Sequence, residues 1–519
     1  MTGLVWIPFF CFLSQTSDAY KALVIFPLPS KSHTILGDNL VKLIAEAGNE
    51  VTYLTTFPRD KPPPRVKEVD ISDNKRLLPD DLMNIKAVMN KEVSLSNITN
   101  FITILNELSS MTLQNPGVQK LLNDPNEKFD VIIAEWMYND VYSGLTPIFD
   151  CPIIWLSTVE PHWKIMRIID EIPSPAYNAD AISNNQLPFS FKQRVQELGY
   201  QISGLLLQYF FTSKRENAQY ESIIAPIIRK RGKAVPDFEE LRFNASLVLG
   251  NSHVSLGRAT RLPQNYKPIA GYHIPKEVAP LTGDLKNLLD NAKNGLIYFS
   301  LGSNLKSKYL PDDLKKSLLK MFGELKQTVL WKFEEDLPNR PSNVHIIQWA
   351  PQPSILAHKN CILFITHGGI LSTIEAVYYG KPVVGIPVFG DQFSNVDRAV
   401  DKGFAKKVEL TYTMANELKI AIQEIVSDPS YAAKAKELSL IYHDRPVSPA
   451  VELVHWVQHV IRTSGAVHLR SPALQVPWYQ KMYLDLALVI VSLILGLKML
   501  LKWICSKLCG KSRSKVKKS

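Results

Sequence analysis

Two histidines in this 519-residue chain stand where an imidazole could act on a ligand, each at a strand-to-helix turn. The first, in Ser32-His33, follows an apolar run over residues 22–26 and opens a segment of helical periodicity that ends near residue 47, before Gly48-Asn49. An imidazole at the carboxyl end of a strand points into the crevice above the sheet, and a helix N-terminus disfavours its charged form there, so the ring can accept a proton. The second lies in Phe364-Ile365-Thr366-His367-Gly368-Gly369. A strand, two glycines and then a helix present unpaired backbone N–H groups to an anion, and the glycines let a diphosphate come close. His367 can donate to a phosphate oxygen, as can the hydroxyls of Ser372 and of Ser303, which ends Phe299-Ser300-Leu301-Gly302-Ser303.

Around these stand residues suited to the rest of a nucleotide. Glu375 lies one helical turn after Ser372, so both face one cleft, and a carboxylate can accept two vicinal hydroxyls. In Trp349-Ala350-Pro351-Gln352, the tryptophan offers a flat apolar face to a base ring, and Gln352 offers both a donor and an acceptor.

Positioning these groups requires strands that end where the motifs begin. Apolar runs at 22–26, 51–57, 129–134, 152–156 and 247–250 alternate with helical periods such as 195–209, which predicts a parallel sheet covered on both faces. The stretches 58–80 and 171–188 are Pro- and polar-rich and read as long loops that shape a pocket. After a Pro-rich stretch over 262–280 the pattern restarts, with strands at 296–301, 328–333, 344–348, 362–366 and 383–387 and a helix over 311–325. The expected fold is α/β, with two doubly wound, Rossmann-like domains over 20–270 and 271–445 facing across a cleft. A helix over 447–463, within a connector spanning 446–482, would brace the two halves.

The ends of the chain read as targeting segments. Residues 4–13 are apolar and precede Ser17-Asp18-Ala19, so 1–19 reads as a cleaved signal peptide. A second apolar stretch, 483–503, is long enough to cross a bilayer if Lys498 snorkels, with aromatic residues near its ends and a basic tail over 504–519. A cytosolic tail makes everything before the span lumenal, where Asn97-Ile98-Thr99 and Asn244-Ala245-Ser246 would be glycosylation acceptors. Of 59 basic residues seven lie in 502–519, and of 49 acidic residues one lies in 1–19, which leaves 52 and 48 in residues 20–501. The overall charge of +10 is therefore concentrated in the tail and gives no footprint for nucleic acid. Only Cys151 and Cys361 would face the lumen, and with no CxxC or His/Cys cluster we expect neither a disulfide framework nor a structural metal.

The blocks 299–303, 349–352 and 364–369, followed by Ser372, Glu375, Pro382, Pro387 and Asp391-Gln392, resemble the donor signature of the UDP-glycosyltransferase family. The signal, bracing helix, span and tail extend that resemblance over nearly the whole chain, toward the animal, insect-like, membrane-bound branch. The resemblance implies the GT-B arrangement, with His33 as base and Gly302, Ser303, Trp349, Gln352, His367, Gly369, Ser372 and Glu375 holding the UDP. It further implies that Asp391 and Gln392 bond the transferred sugar. The carboxylate that orients the base would be Glu135, where the family usually has aspartate, with Asp140 on the same loop as the alternative. Two departures stand out: Leu371-Ser372 replaces a frequent Asn-Gly, and Lys332 a frequent arginine that lysine cannot imitate as a fork.

The implied reaction is an inverting transfer of a hexosyl group to the hydroxyl of a small lipophilic acceptor. UDP-sugar is a co-substrate, no cofactor or metal is needed, UDP-glucose is favoured over UDP-glucuronate, and the enzyme resides in the endoplasmic reticulum membrane. The terminal Lys515-Val516-Lys517-Lys518-Ser519 resembles a dilysine retrieval signal. A lipid or glycan glycosyltransferase and a non-catalytic binding protein of the same fold are the competing readings. A homo-oligomer is compatible with the sequence.

Overall fold

The computed structural model describes residues 19–78, 84–90, 98–180, 183, 185–257 and 259–515. Runs such as 22–26 and 131–134 have no polar alternation, so neither face of the strands they form can lie against water. They build a seven-stranded parallel sheet from β1 (Lys21–Phe26), β2 (Glu50–Thr55), β3 (Val66–Asp70), β4 (Val131–Trp136), β5 (Ile153–Ser157), β6 (Leu247–Gly250) and β7 (Tyr266–Pro268). Its order is β3-β2-β1-β4-β5-β6-β7, with Ala22 opposite Val131 and Val51. The second sheet holds β8 (Leu296–Ser300), β9 (Thr328–Lys332), β10 (Val344–Ile347), β11 (Cys361–Thr366), β12 (Val383–Gly385) and β13 (Ala405–Lys407). It is parallel throughout, in the order β10-β9-β8-β11-β12-β13, with Thr366 opposite Ser300. Chain order reverses between β1 and β4 and again between β8 and β11. At such switch points the helices leave on opposite faces and a crevice opens at the carboxyl ends of the strands.

Three strands escape the hydrophobic pattern. β3 falls inside 58–80, which reads as loop, because in Val-Lys-Glu-Val-Asp only Val69 is buried and the edge of the sheet tolerates charge. β7 and β13 are three residues long and exist only through pairing with β6 and β12. The stretch 171–188 carries no helix or strand among its described residues. The periodic segment at 195–209 belongs to a longer helical rod, Phe191–Leu207 continuing through two π-helical turns to Lys230.

The chain returns to its first half at the end. Pro429–His443 buries Ala435, Leu438 and Tyr442 in the second half. Pro449–Arg462, capped by Ser448, instead buries Leu453, Val457 and Val460 against Ala22, Val24 and Leu40 of the first. Each of these side chains contributes about 1.5–3 kcal/mol of apolar burial, so this helix holds the halves together. Tyr442 donates its hydroxyl to the Ala270 carbonyl at 2.8 Å, beside Gly271 at φ +90°, where a Cβ would lie 1.8 Å from the Tyr442 hydroxyl oxygen. The linker therefore requires glycine at this point. One helix runs Leu484–Lys515, past residue 503 where the span was expected to end. Its part Leu484–Lys507 is long and apolar enough to cross a bilayer and buries nothing against the protein. Cys151 and Cys361 are buried and unbonded, the first lying two residues before β5 and the second opening β11.

Candidate active site

The first crevice opens where β1 gives way to the helix Lys31–Glu46, and His33 lies in its first turn. β4 is the neighbour of β1, and its penultimate residue, Glu135, is fully buried directly beneath the ring. His33 Nδ1 is hydrogen-bonded to Glu135 Oε1. An ionised carboxylate can only accept, so Nδ1 carries the proton and the Nε2 lone pair is left for another partner. Asp140 is engaged elsewhere: it accepts from Trp136 Nε1 at 2.8 Å and from Arg167 at 2.7 Å, and lies 3.3 Å from Arg242 Nε. Of the two acids the sequence left open, Glu135 is the one that meets the histidine.

The second crevice faces it. Two residues past the end of β8 stands Gly302 at φ +83°, and β11 runs into His367-Gly368-Gly369 and the helix Ile370–Tyr378. The His367 ring lies between two glycines: a Cβ on Gly302 would come 2.4 Å from its Cε1, and one on Gly369 2.6 Å from its Nε2. Any larger residue at either place would displace the imidazole. Gly369 is the N-cap of that helix and offers no side chain, so the first N–H groups remain for a ligand. Lys332, which stands where arginine is frequent, donates to the Gly302 carbonyl at 2.9 Å and pairs with Glu334 at 2.8 Å, bracing the turn. Burial, helped by the Lys332 charge, pushes the His367 imidazole down to about 4, so at neutral pH it is uncharged.

Beside the turn, Gln352, Ser372 and Glu375 form one network. Gln352 Nε2 donates to Glu375 Oε2 at 2.6 Å and to Ser372 Oγ at 3.3 Å, and its carbonyl accepts from Tyr298 at 3.2 Å. His273, which no motif signals, adds its Nε2 at 3.4 Å from the other Glu375 oxygen. Trp349 is 54% exposed, and Lys31 reaches across the cleft to lie 4.9 Å from its ring centre. A second bridge joins Ser30 Oγ to the Asn304 side chain at 2.9 Å. Lys31, Ser30 and Asn304 carry no sequence signal because their partners lie in the opposite half.

Between the crevices is a cavity of 1410 Å³ lined by His33, Ser303 and Asp391 and, on the first-half side, by Phe57, Phe101 and Tyr138. Asp391 accepts from Asn395 at 2.8 Å, and burial raises its carboxyl despite Asn395, Arg398 and His33 nearby. Gln392, which the resemblance pairs with Asp391 on a sugar, is buried, and its carbonyl oxygen accepts the Val388 and Phe389 N–H groups at 2.9 and 3.1 Å. That oxygen shapes the loop that presents Asp391. Asn244 is exposed on a turn after β5 and before β6, and Asn97 lies outside the described residues.

Residues 35–519 match the family model described as UDP-glucoronosyl and UDP-glucosyl transferase. The chain belongs to the UDP-glycosyltransferase family. Among its relatives, UDP-glucosyltransferase 2 of the insect Dactylopius coccus is 32% identical over 97% of this chain and 96% of its own length. UDP-glucuronosyltransferase 3A1 of Bos taurus is 28% identical over 95% of this chain and 94% of its own. The calicheamicin glycosyltransferase CalG4 shares the fold, with TM-score 0.57 at 14% identity over 86% of this chain and 99% of its own. This UDP-glycosyltransferase thus has the GT-B architecture, with both switch-point crevices facing one cavity.

The neutral His367 has a measurable consequence in the donor-free transferase. An unfolded histidine titrates near pH 6.5 and the folded one near 4. Between those values the unfolded chain binds the extra proton, so stability falls as the solution is acidified through that window and is unaffected above it. His367→Gln removes the effect. In denaturant titrations its stability relative to wild type should improve by up to about 1.4 kcal/mol per pH unit from pH 6.5 down to 4 and stay constant above 6.5. A pH-independent difference would show that His367 is not held neutral.

Proposed function

We propose that this UDP-glycosyltransferase moves glucose from UDP-glucose to the hydroxyl of a small lipophilic acceptor in one inverting displacement. The observation that carries the reading is His33, held from below by buried Glu135, lining one cavity with Ser303 and Asp391 of the opposite half. Trp349 stacks the uracil, Glu375 with Gln352 takes the ribose hydroxyls, and the N–H groups after Gly369, with His367, Ser303 and Ser372, hold the diphosphate. Asp391, in the loop held by Gln392, accepts sugar hydroxyls.

The acceptor oxygen attacks the anomeric carbon as His33 Nε2 takes its proton. The bond to UDP breaks with its electron pair on the departing phosphate, where the same donors meet the growing charge. Glu135 stabilises the imidazolium that results. The aromatic lining supports a lipophilic acceptor, and the name of the Dactylopius coccus relative supports glucose. Because protein donors meet the diphosphate, no divalent ion is required, and turnover in excess EDTA should stay within about twofold of that in magnesium.

We place the catalytic halves in the lumen of the endoplasmic reticulum, anchored by Leu484–Lys507, after removal of residues 1–19, with Asn97 and Asn244 glycosylated. The test is product mass after separate incubations of membranes with UDP-glucose, UDP-glucuronate or UDP-galactose and a panel of phenolic, steroidal and lipid acceptors. A hexosyl product from UDP-glucose that exceeds the glucuronyl product at least tenfold is expected. Glucuronyl product in excess would overturn the donor, and no UDP release with any acceptor would favour a binding role.

A further inference from the structure

The helix Phe191–Leu207 has two unlike faces. Inward, Glu197 and Gln201 line the substrate cavity, and Glu197 is buried, accepting the Asp180 N–H at 2.7 Å. Outward stand Phe191 (76% exposed), Val195, Leu198, Ile202 and Leu206. At about 100° per residue these five fall in a stripe about 80° wide. Tyr209 and Phe210 extend it into the π-helical turn that follows, and both are exposed.

Charge marks the occupant. Between residues 189 and 215 the single acid is Glu197, turned inward, while Lys192, Arg194, Lys214 and Arg215 are basic. Arg194 lies 5.8 Å from the Phe191 ring centre and Lys214 5.8 Å from that of Phe210, stems along apolar surface with the charges at its edge. An apolar stripe edged by cations fits the boundary between lipid tails and phosphate headgroups. The segment is also tied to the way into the membrane. Gln201 donates to the Pro173 carbonyl at 2.9 Å, and Asp170, three residues earlier, is hydrogen-bonded to Ser471 of the connector. Only residues 472–483 separate Ser471 from the apolar helix, at most about 40 Å of extended chain.

We infer that Phe191–Phe210 lies in the bilayer surface as a second membrane contact, so that the side of the cavity lined by Glu197, Gln201, Pro173 and Tyr177 opens to lipid and lipophilic acceptors enter from there. The inference rests on Leu484–Lys507 spanning a membrane. The full chain reconstituted in phosphatidylcholine vesicles carrying a carbene-generating acyl-chain probe tests it by peptide mass spectrometry. Label is expected on 484–507 and also on the outer face of 191–210. Label on 484–507 alone overturns the inference and leaves the span intact. Cross-links joining Lys192 of two copies, formed by an added lysine-reactive bifunctional reagent, would overturn it in favour of a protein interface. Label on neither removes the membrane reading and this inference with it.

Function supplies a second arm. Val195→Ser/Leu198→Ser/Ile202→Ser/Leu206→Ser, assayed in the same vesicles, should raise KM for a membrane-partitioning acceptor at least fivefold. KM for a water-soluble acceptor and kcat for both should remain within twofold. Equal changes for both acceptors would overturn lipid entry.

Discussion

His33→Ala is expected to lower the rate of transfer about 10²–10⁴-fold while UDP binds as it does to wild type. The imidazole is the group whose Nε2 faces the cavity with its other nitrogen fixed, and alanine leaves no acceptor for the proton of the attacking hydroxyl. The substitution also strips buried Glu135 of its partner, which costs about 1–3 kcal/mol of stability. His33→Gln separates the two effects, because its amide can still donate to Glu135 but cannot accept a proton. Comparable rate loss in both variants, with unchanged UDP affinity by calorimetry, is the expected result. A His33→Gln chain that turns over within tenfold of wild type would remove His33 from the chemistry.

The second large effect separates two acids five residues apart. Glu135→Gln keeps the shape beneath His33 and deletes the charge that stabilises the imidazolium, so kcat should fall about 10²–10³-fold. Because it removes a buried charge, stability should change little or rise. Asp140→Asn should do the reverse. Asp140 lies between Arg167 and Arg242, with Glu216 also on Arg242 at 2.7 Å, and burial beside Asp140 pushes Glu216 up to about 8. Removing the Asp140 charge from that cluster leaves guanidinium groups short of a partner, at a cost of about 3–5 kcal/mol. The folded Asp140→Asn protein should nevertheless transfer sugar at close to the wild-type rate. Denaturant titration and kcat on the same samples distinguish the two, and a rate loss confined to Asp140→Asn would reverse the assignment.

How much of this was legible follows from the range of each interaction. β1, β4, β8 and β11 could be read because a strand buried on both faces must be apolar at every position, whatever lies beside it. β3 could not, since an edge strand mixes Lys and Glu with valine, and neither could β7 and β13, whose three residues carry too little pattern. The His367-Gly368-Gly369 turn was visible as a local motif. That its glycines make room for the histidine itself was not, because Gly302 is 65 positions away in the chain. Gln392 shows the same limit: the motif names the residue, and only its bonds to Val388 and Phe389 show that its oxygen holds the loop.

What the sequence determined by itself is the family, the two wound halves, an apolar C-terminal helix and the residue types available for chemistry, all of which depend on neighbours within a turn or a strand. What the tertiary structure decided is which of those residues meet. Glu135 rather than Asp140 reaches His33, Lys31 covers Trp349, and Ser30 bonds Asn304 across the cleft. These pairings depend on strand order and on how the halves are braced, and spacing along the chain does not encode a distance of a few ångströms between segments a hundred or more residues apart.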